Sequence, residues 1–137
     1  MVEQIAVFIE NRKGRLQELT KVLGDAKIDL RTMSIADTND FGILRAVTSD
    51  NAAAARVLKE HGFTVTTNKL IGVEVSDKPG GLAAVLKVLD DNGVAVEYLY
   101  SFAHTNDKSA VILFRVEDDK YASEVLKKQG VKLLESI

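Results

Sequence analysis

The residues with chemical potential are glycines placed where the chain turns into a helix. Gly14 precedes Arg15-Leu16, and Gly80-Gly81 precede Leu82, each ahead of apolar residues at helical spacing. A helix N-terminus carries unpaired N–H groups and about half a unit of positive charge. Glycine has no Cβ, so a ligand can come within hydrogen-bonding distance of the backbone there. That chemistry suits a small carboxylate. The other reading of the same glycines is that they only turn the chain. The pattern is not a P-loop, since the glycine-rich run closed by Lys-Ser/Thr is missing, and no G-x-G-x-x-G fingerprint occurs. Neither His61 nor His104 has a Ser, Cys or second His at a catalytic spacing, so no catalytic residue is assigned. His104, in a predicted turn before Thr105-Asn106-Asp107, is placed where a ligand lid could sit.

The elements that must position these glycines come from a sequence written twice. A shift of 66 positions lays Ile5-Ala6-Val7 on Ile71-Gly72-Val73, Gly14 on Gly80, Leu16 on Leu82, and Lys21-Val22-Leu23 on Lys87-Val88-Leu89. At 67, Thr38-Asn39-Asp40 falls on Thr105-Asn106-Asp107, and at 68, Val57-Leu58-Lys59 and Gly62 fall on Val125-Leu126-Lys127 and Gly130. The offset creeps only where loops can absorb a residue. Repeats of this kind decide the architecture before any motif does.

Each copy follows one programme. Val2–Ile9 and Leu70–Ser76 are rich in Val and Ile and read as strands. Leu16, Leu19, Val22, Leu23 and Ala26 then recur at helical spacing, as do Leu82, Val85, Leu86 and Leu89. Asp77 is placed to cap the second of these helices, with Pro79 in its first turn. Ile28–Ala36 and Val94–Ala103 return to strand character, and the Thr-Asn-Asp segments mark turns. Phe41–Thr48 and Ser109–Glu117 are further strands, Asn51–His61 and Tyr121–Gln129 further helices, and Gly62 and Gly130 helix stops. Phe63–Thr67 and Val131–Leu134 close each copy as short strands. The order is β-α-β-β-α-β twice, the ferredoxin-like pattern of an antiparallel sheet with both helices on one face. The fold class is α+β, with units expected at residues 1–68 and 69–137 and almost no linker between them.

Composition narrows the function. Of 137 residues, 46% are hydrophobic and 28% charged, enough apolar content for a core and too much for disorder. No Cys is present, which excludes disulfides and thiolate zinc sites, and two His cannot build a His-rich metal cage. Neither a metal nor a cofactor is expected. A net charge of -2 lacks the positive field that nucleic acid requires. No apolar run reaches the roughly 20 residues of a membrane span, and Met1-Val2-Glu3-Gln4-Ile5 has no signal character, so a cytoplasmic protein is expected.

Several strands are apolar on both faces: Ile5, Val7 and Ile9 oppose Ala6 and Phe8, and Val111-Ile112-Leu113-Phe114 runs without interruption. A helix-free sheet face should alternate to polar. A second copy packed on these faces, a homodimer, is the expectation; the alternative leaves Phe8 and Ile112 as ordinary surface apolars. Tyr98, Tyr100 and Phe102 share one strand face and are read as packing residues. The run Glu117-Asp118-Asp119-Lys120 is read as the acidic opening of a helix, and His61 as a partner of a helix's last carbonyls.

Taken together, the repeat order and the loops Asn11-Arg12-Lys13-Gly14-Arg15-Leu16 and Asp77-Lys78-Pro79-Gly80-Gly81-Leu82 resemble tandem ACT domains. The second loop is close to that family's D-x-P-G-x-L opening, while the first has Lys13 in place of the proline. The resemblance covers nearly the whole chain. It implies a non-catalytic regulatory module that binds a free amino acid at interfaces between ACT units and signals to a partner enzyme. An amino-acid biosynthetic enzyme such as acetolactate synthase is the narrower implication. Carried over by position, Asn11, Gly14, Arg15 and Leu16 would form one ligand loop, and Asp77, Gly80, Gly81 and Leu82 the other, with backbone N–H groups on the ligand carboxylate. Asp29 would meet the ligand ammonium, a role Ala95 in the second copy cannot fill. A ligand of about ten heavy atoms gains at most about 1.5 kcal/mol per atom, so micromolar to millimolar affinity is expected. An acylphosphatase-like enzyme and a ligand-free interaction module are the alternatives.

Overall fold

The computed structural model describes residues 1–102 and 108–137, so His104 and the Thr105-Asn106-Asp107 turn lie outside the described residues. The elements are β1 (Val2–Glu10), α1 (Arg15–Asp25), β2 (Leu30–Asp37), β3 (Phe41–Thr48), α2 (Asn51–Glu60), β4 (Thr64–Ser76), α3 (Gly81–Asp91), β5 (Val96–Phe102), β6 (Ser109–Val116), α4 (Asp119–Lys128) and β7 (Lys132–Leu134). They form two βαββαβ units. One comprises Glu3–Asn68; the other comprises Lys69–Ile137 together with Met1–Val2.

One expected boundary between elements does not exist. The last strand of the first copy and the first of the second are a single 13-residue strand, β4. Nothing in Asn68-Lys69 breaks it, since neither residue is the Gly or Pro that ends pairing.

In the N-terminal unit β1 pairs antiparallel with β3, Val7 opposite Leu44 and Phe8 opposite Ile43. β2 pairs with β3 on its other side, Ile35 opposite Leu44, after an irregularity between Leu30 and Thr32. The alternation of β1 then sorts its side chains. Ile5, Val7 and Ile9 join Leu19 and Leu23 of α1, Leu44 of β3, and Leu58 of α2 in one core with Phe63 and Val65. Phe8 faces the other way, 42% exposed, with its ring stacked 4.8 Å from that of Phe41. With Ala6, Ile43, Thr64 and Thr66 it lines a shallow hollow of about 230 Å³ on the helix-free face.

The C-terminal unit repeats the plan. β4 pairs with β6, Ile71 opposite Phe114, and with β7, Gly72 opposite Leu134, while β5 flanks β6. Its core holds Ile71, Val73, Val85, Leu89, Phe114, Val116 and Leu126. Ile112 belongs to this core and is buried, so it is no surface apolar.

The helix ends divide into two kinds. Asp50 and Asp118 cap α2 and α4, their carboxylates accepting from the amides of Ala53 and Tyr121 at 3.0 Å. The Asp118-Asp119 run thus opens a helix as its charge suggested. His61 ends α2, its Nδ1 donating to the Val57 carbonyl at 2.8 Å. The other two helices start at glycines, and Asp77 caps neither: the N-cap of α3 is Gly80. The chain turns once more after Pro79, which places Asp77 three residues before the N-cap.

Candidate functional site

Gly14 and Gly80 hold nearly identical conformations, φ 86° ψ -11° and φ 90° ψ -8°. This left-handed backbone costs an ordinary residue about 1–2 kcal/mol and glycine nothing. Neither α1 nor α3 has a side-chain cap, in contrast to the Asp-capped α2 and α4. The loop's own carbonyls take some donors. The Arg15 amide donates to Arg12 O at 3.3 Å and the Gly81 amide to Lys78 O at 3.0 Å, while Glu18 and Ala84 bond to the carbonyls of Gly14 and Gly80. Asn11 and Asp77 spend theirs on the carbonyls of Asp40 and Lys108. The amides of Asn11, Arg15, Asp77 and Gly81 thus have partners within the protein. Among the described residues, the first-turn amides of Leu16 and Gln17, and of Leu82 and Ala83, have no side-chain cap.

Beside the first loop lies a hollow of about 160 Å³, lined by Ile9, Glu10, Asn11, Arg12, Leu16, Ile35, Asp37 and Gly42. Asn11 creates it. Its Nδ2 donates to the carbonyls of Thr38 (3.2 Å) and Asn39 (3.4 Å), which ties the β2–β3 turn to the β1–α1 loop. The end of β2 is thereby held across from the first turn of α1. The polar rim carries both signs of charge. Glu10 pairs with Arg12 at 3.1 Å, and Asp37 contributes a second carboxylate.

The Arg15 side chain packs into the fold. Its guanidinium is buried over the Phe63 ring, 3.8 Å from the centroid, with Glu18 at 3.0 Å and Glu10 at 3.3 Å. Nε makes no hydrogen bond of its own, so the Glu10 contact is an ion pair only. Asp29 is not at this hollow within the unit. It precedes β2, where its amide bonds Ser49 Oγ at 2.9 Å. Eight residues of extended chain separate it from Asp37, about 26 Å at strand rise. In the C-terminal unit Leu82 is half-buried against the core, and a Cβ on Gly81 would collide with the Ser76 carbonyl. Gly81 is thus required by close backbone approach.

Sequence reasoning did not single out Ile9, Glu10, Arg12, Ile35, Asp37 and Gly42 for this hollow. Arg12 stood inside the quoted loop, and Asp37 borders the Thr-Asn-Asp turn; only the β2–β3 register brings the latter to the helix opening.

A larger hollow, about 350 Å³, lies in the C-terminal unit between Met1, Ile71, Gly72, Leu133 and Leu134 and one face of α4. The helix end that borders it is already capped by Asp118, and the Met1 ammonium is paired with Glu135 at 2.7 Å. Size therefore does not single it out; the smaller hollow has the uncapped helix. Among the described residues no cluster of His, Cys, Asp or Glu could hold a metal ion, and no helix is long and apolar enough to cross a membrane.

Residues 1–136 match the family model of the ACT domain pair. The chain belongs to the ACT domain pair family. It is 41% identical to protein BT0572 from Bacteroides thetaiotaomicron, with a TM-score of 0.91 over 97% of this chain and 91% of that one. The ligand-free regulatory subunit of aspartate kinase from Thermus thermophilus superposes with a TM-score of 0.66 at 15% identity, covering 93% of this chain and 90% of that one. The aspartate kinase from Synechocystis does so at 0.60 and 20% identity, covering 93% of this chain and 24% of the enzyme. At such identities the likeness to the kinases is one of fold. No curated protein matches the chain. The two units of this chain thus share the βαββαβ plan of that family.

Proposed function

We propose that this ACT domain pair is a non-catalytic regulatory protein that senses a free amino acid at the opening of α1. The observation that carries the reading is an uncapped helix N-terminus beside a hollow whose rim offers charges of both signs. A zwitterion needs that combination. Its carboxylate meets the first-turn amides near Leu16 and Gln17, and its ammonium meets Asp37. A unit of a second copy closes the open side, and the apolar face around Phe8, Phe41 and Ile43 supports such a homodimer. Binding that favours one arrangement of copies passes the signal to a partner enzyme of amino-acid metabolism.

The loop's guanidiniums argue against an acyl-phosphate enzyme. Arg12 faces Glu10, and Arg15 faces Glu10 and Glu18 over Phe63, so neither is an unneutralised phosphate clamp. A thermal-shift screen of the twenty amino acids tests the reading. A ligand at a hundredfold excess over Kd stabilises the fold by about 2.7 kcal/mol, a shift of several degrees. Silence from all twenty, or turnover of an acyl phosphate, would overturn it.

A further inference from the structure

We infer that the hollow beside α1 selects an amino acid with a small aliphatic side chain, of the valine, leucine and isoleucine class. This inference rests on the amino-acid reading of the same site. Its walls away from the charged rim are hydrocarbon. Ile9 forms a buried floor, Leu16 of α1 and Ile35 of β2 stand on the flanks, and Gly42 adds no side chain. Leu16 and Ile35 are 41% and 43% exposed, so both leave apolar surface that a ligand side chain covers.

The polar side chains at the rim have other work. Glu10 is paired with Arg12, and Asn11 donates to two backbone carbonyls of the β2–β3 turn. Asp37 and the helix amides take the ligand's two charged ends, and the walls that a ligand side chain then meets, Ile9, Leu16 and Ile35, offer no partner to a hydroxyl or amide. A buried polar group without a partner is penalised far more than one exposed to water.

Size sets the upper limit. The hollow measures about 160 Å³. An apolar protein cavity of about 150 Å³ accommodates one benzene, about six heavy atoms. A branched aliphatic side chain has three or four carbons, and the charged head can occupy the open rim. On the same count the side chains of phenylalanine, tyrosine and tryptophan have about seven to ten heavy atoms and exceed the six of benzene. Each methylene buried is worth about fourfold in affinity, so valine should exceed alanine by about fifteenfold.

Isothermal titration of the full chain with valine, leucine, isoleucine, alanine, threonine and phenylalanine tests the selection. Threonine is the sharp control, matching valine in shape with a hydroxyl for a methyl. The expected result is valine at least tenfold tighter than threonine, with Ile35→Thr and Leu16→Ser each reducing that ratio to threefold or less. Both positions are substantially exposed, and unchanged thermal melts without ligand confirm folding. Threonine or another polar amino acid binding as tightly as valine, with Asp37→Asn weakening it tenfold, would overturn the selection and leave the amino-acid site standing. Aliphatic binding untouched by either wall variant would place the ligand elsewhere and overturn the inference. Binding of no amino acid at all would remove the site reading together with the selection.

Discussion

The Arg15 guanidinium lies 3.8 Å from the centroid of the Phe63 ring and within 3.3 Å of the Glu10 carboxylate. One side chain therefore ties the start of α1 to the unit's core and to the rim of the hollow. Arg15→Ala should cost about 2 kcal/mol, the range of a desolvated cation–π contact, measured by urea unfolding. Arg15→Lys should lose less, because it keeps the charge but not the planar stack. Loss of under 0.5 kcal/mol in Arg15→Ala would show that the stack is idle.

The gating glycines separate two kinds of strain. A Cβ on Gly14 or Gly80 meets open space, so Gly14→Ala and Gly80→Ala should each lose only the left-handed backbone penalty, about 1–2 kcal/mol. Gly81→Ala drives a methyl into the Ser76 carbonyl and should lose more than either. Denaturant midpoints of the three variants give the order. Equal losses would contradict the distinction.

Caps supply a third comparison. Asp50→Ala and Asp118→Ala each remove the acceptor of a first-turn amide and should lose about 1 kcal/mol. Asp77→Ala, three residues before the Gly80 N-cap, should fall within the ±0.5 kcal/mol of ordinary surface changes. A loss at Asp77 as large as at Asp50 would reinstate it as a cap.

Two helix pairs obey the repeat, and each adds a small pH-dependent contribution. Lys21–Asp25 closes at 2.6 Å on α1 and Lys87–Asp91 at 2.7 Å on α3, 66 residues apart. Hydrogen bonding to Lys21 holds the Asp25 carboxyl below its ordinary 3.8, and bonding to Asp91 raises Lys87 above 10.5. The Asp25 contribution is present above 3.8 and fades as pH falls through the lowered value. The Lys87 contribution is complete below 10.5 and fades as pH rises through the raised one. Both pairs are exposed, so the effects are small. Thermal melts of Asp25→Asn should converge on the parent in acid, and those of Lys87→Met in strong alkali. Convergence at the opposite ends would reverse the assignment.

The repeat and its alternating and helical apolar patterns were legible in the sequence because they are local. Ile5, Val7 and Ile9 announce one strand face, and Leu16, Leu19 and Leu23 one helix face, whatever surrounds them. The acidic opening of α4 and the His61 helix end were legible for the same reason. What escaped depends on distant pairing. Asp37 reaches the α1 opening only because β2 and β3 turn back under the reach of Asn11, and the Arg15 side chain packs inward only because Phe63 waits in the core. The continuous β4 escaped because the repeat ends one copy and starts the next at Asn68-Lys69, so the sequence reads as two strands nearly touching where the structure has one.

The most direct test of the account is calorimetric titration of the full chain with amino acids, beside the Asp37→Asn variant. The account predicts one class of binder in the micromolar to millimolar range, with affinity at least tenfold weaker when Asp37 loses its charge. Heats indistinguishable from dilution for all twenty amino acids would contradict it.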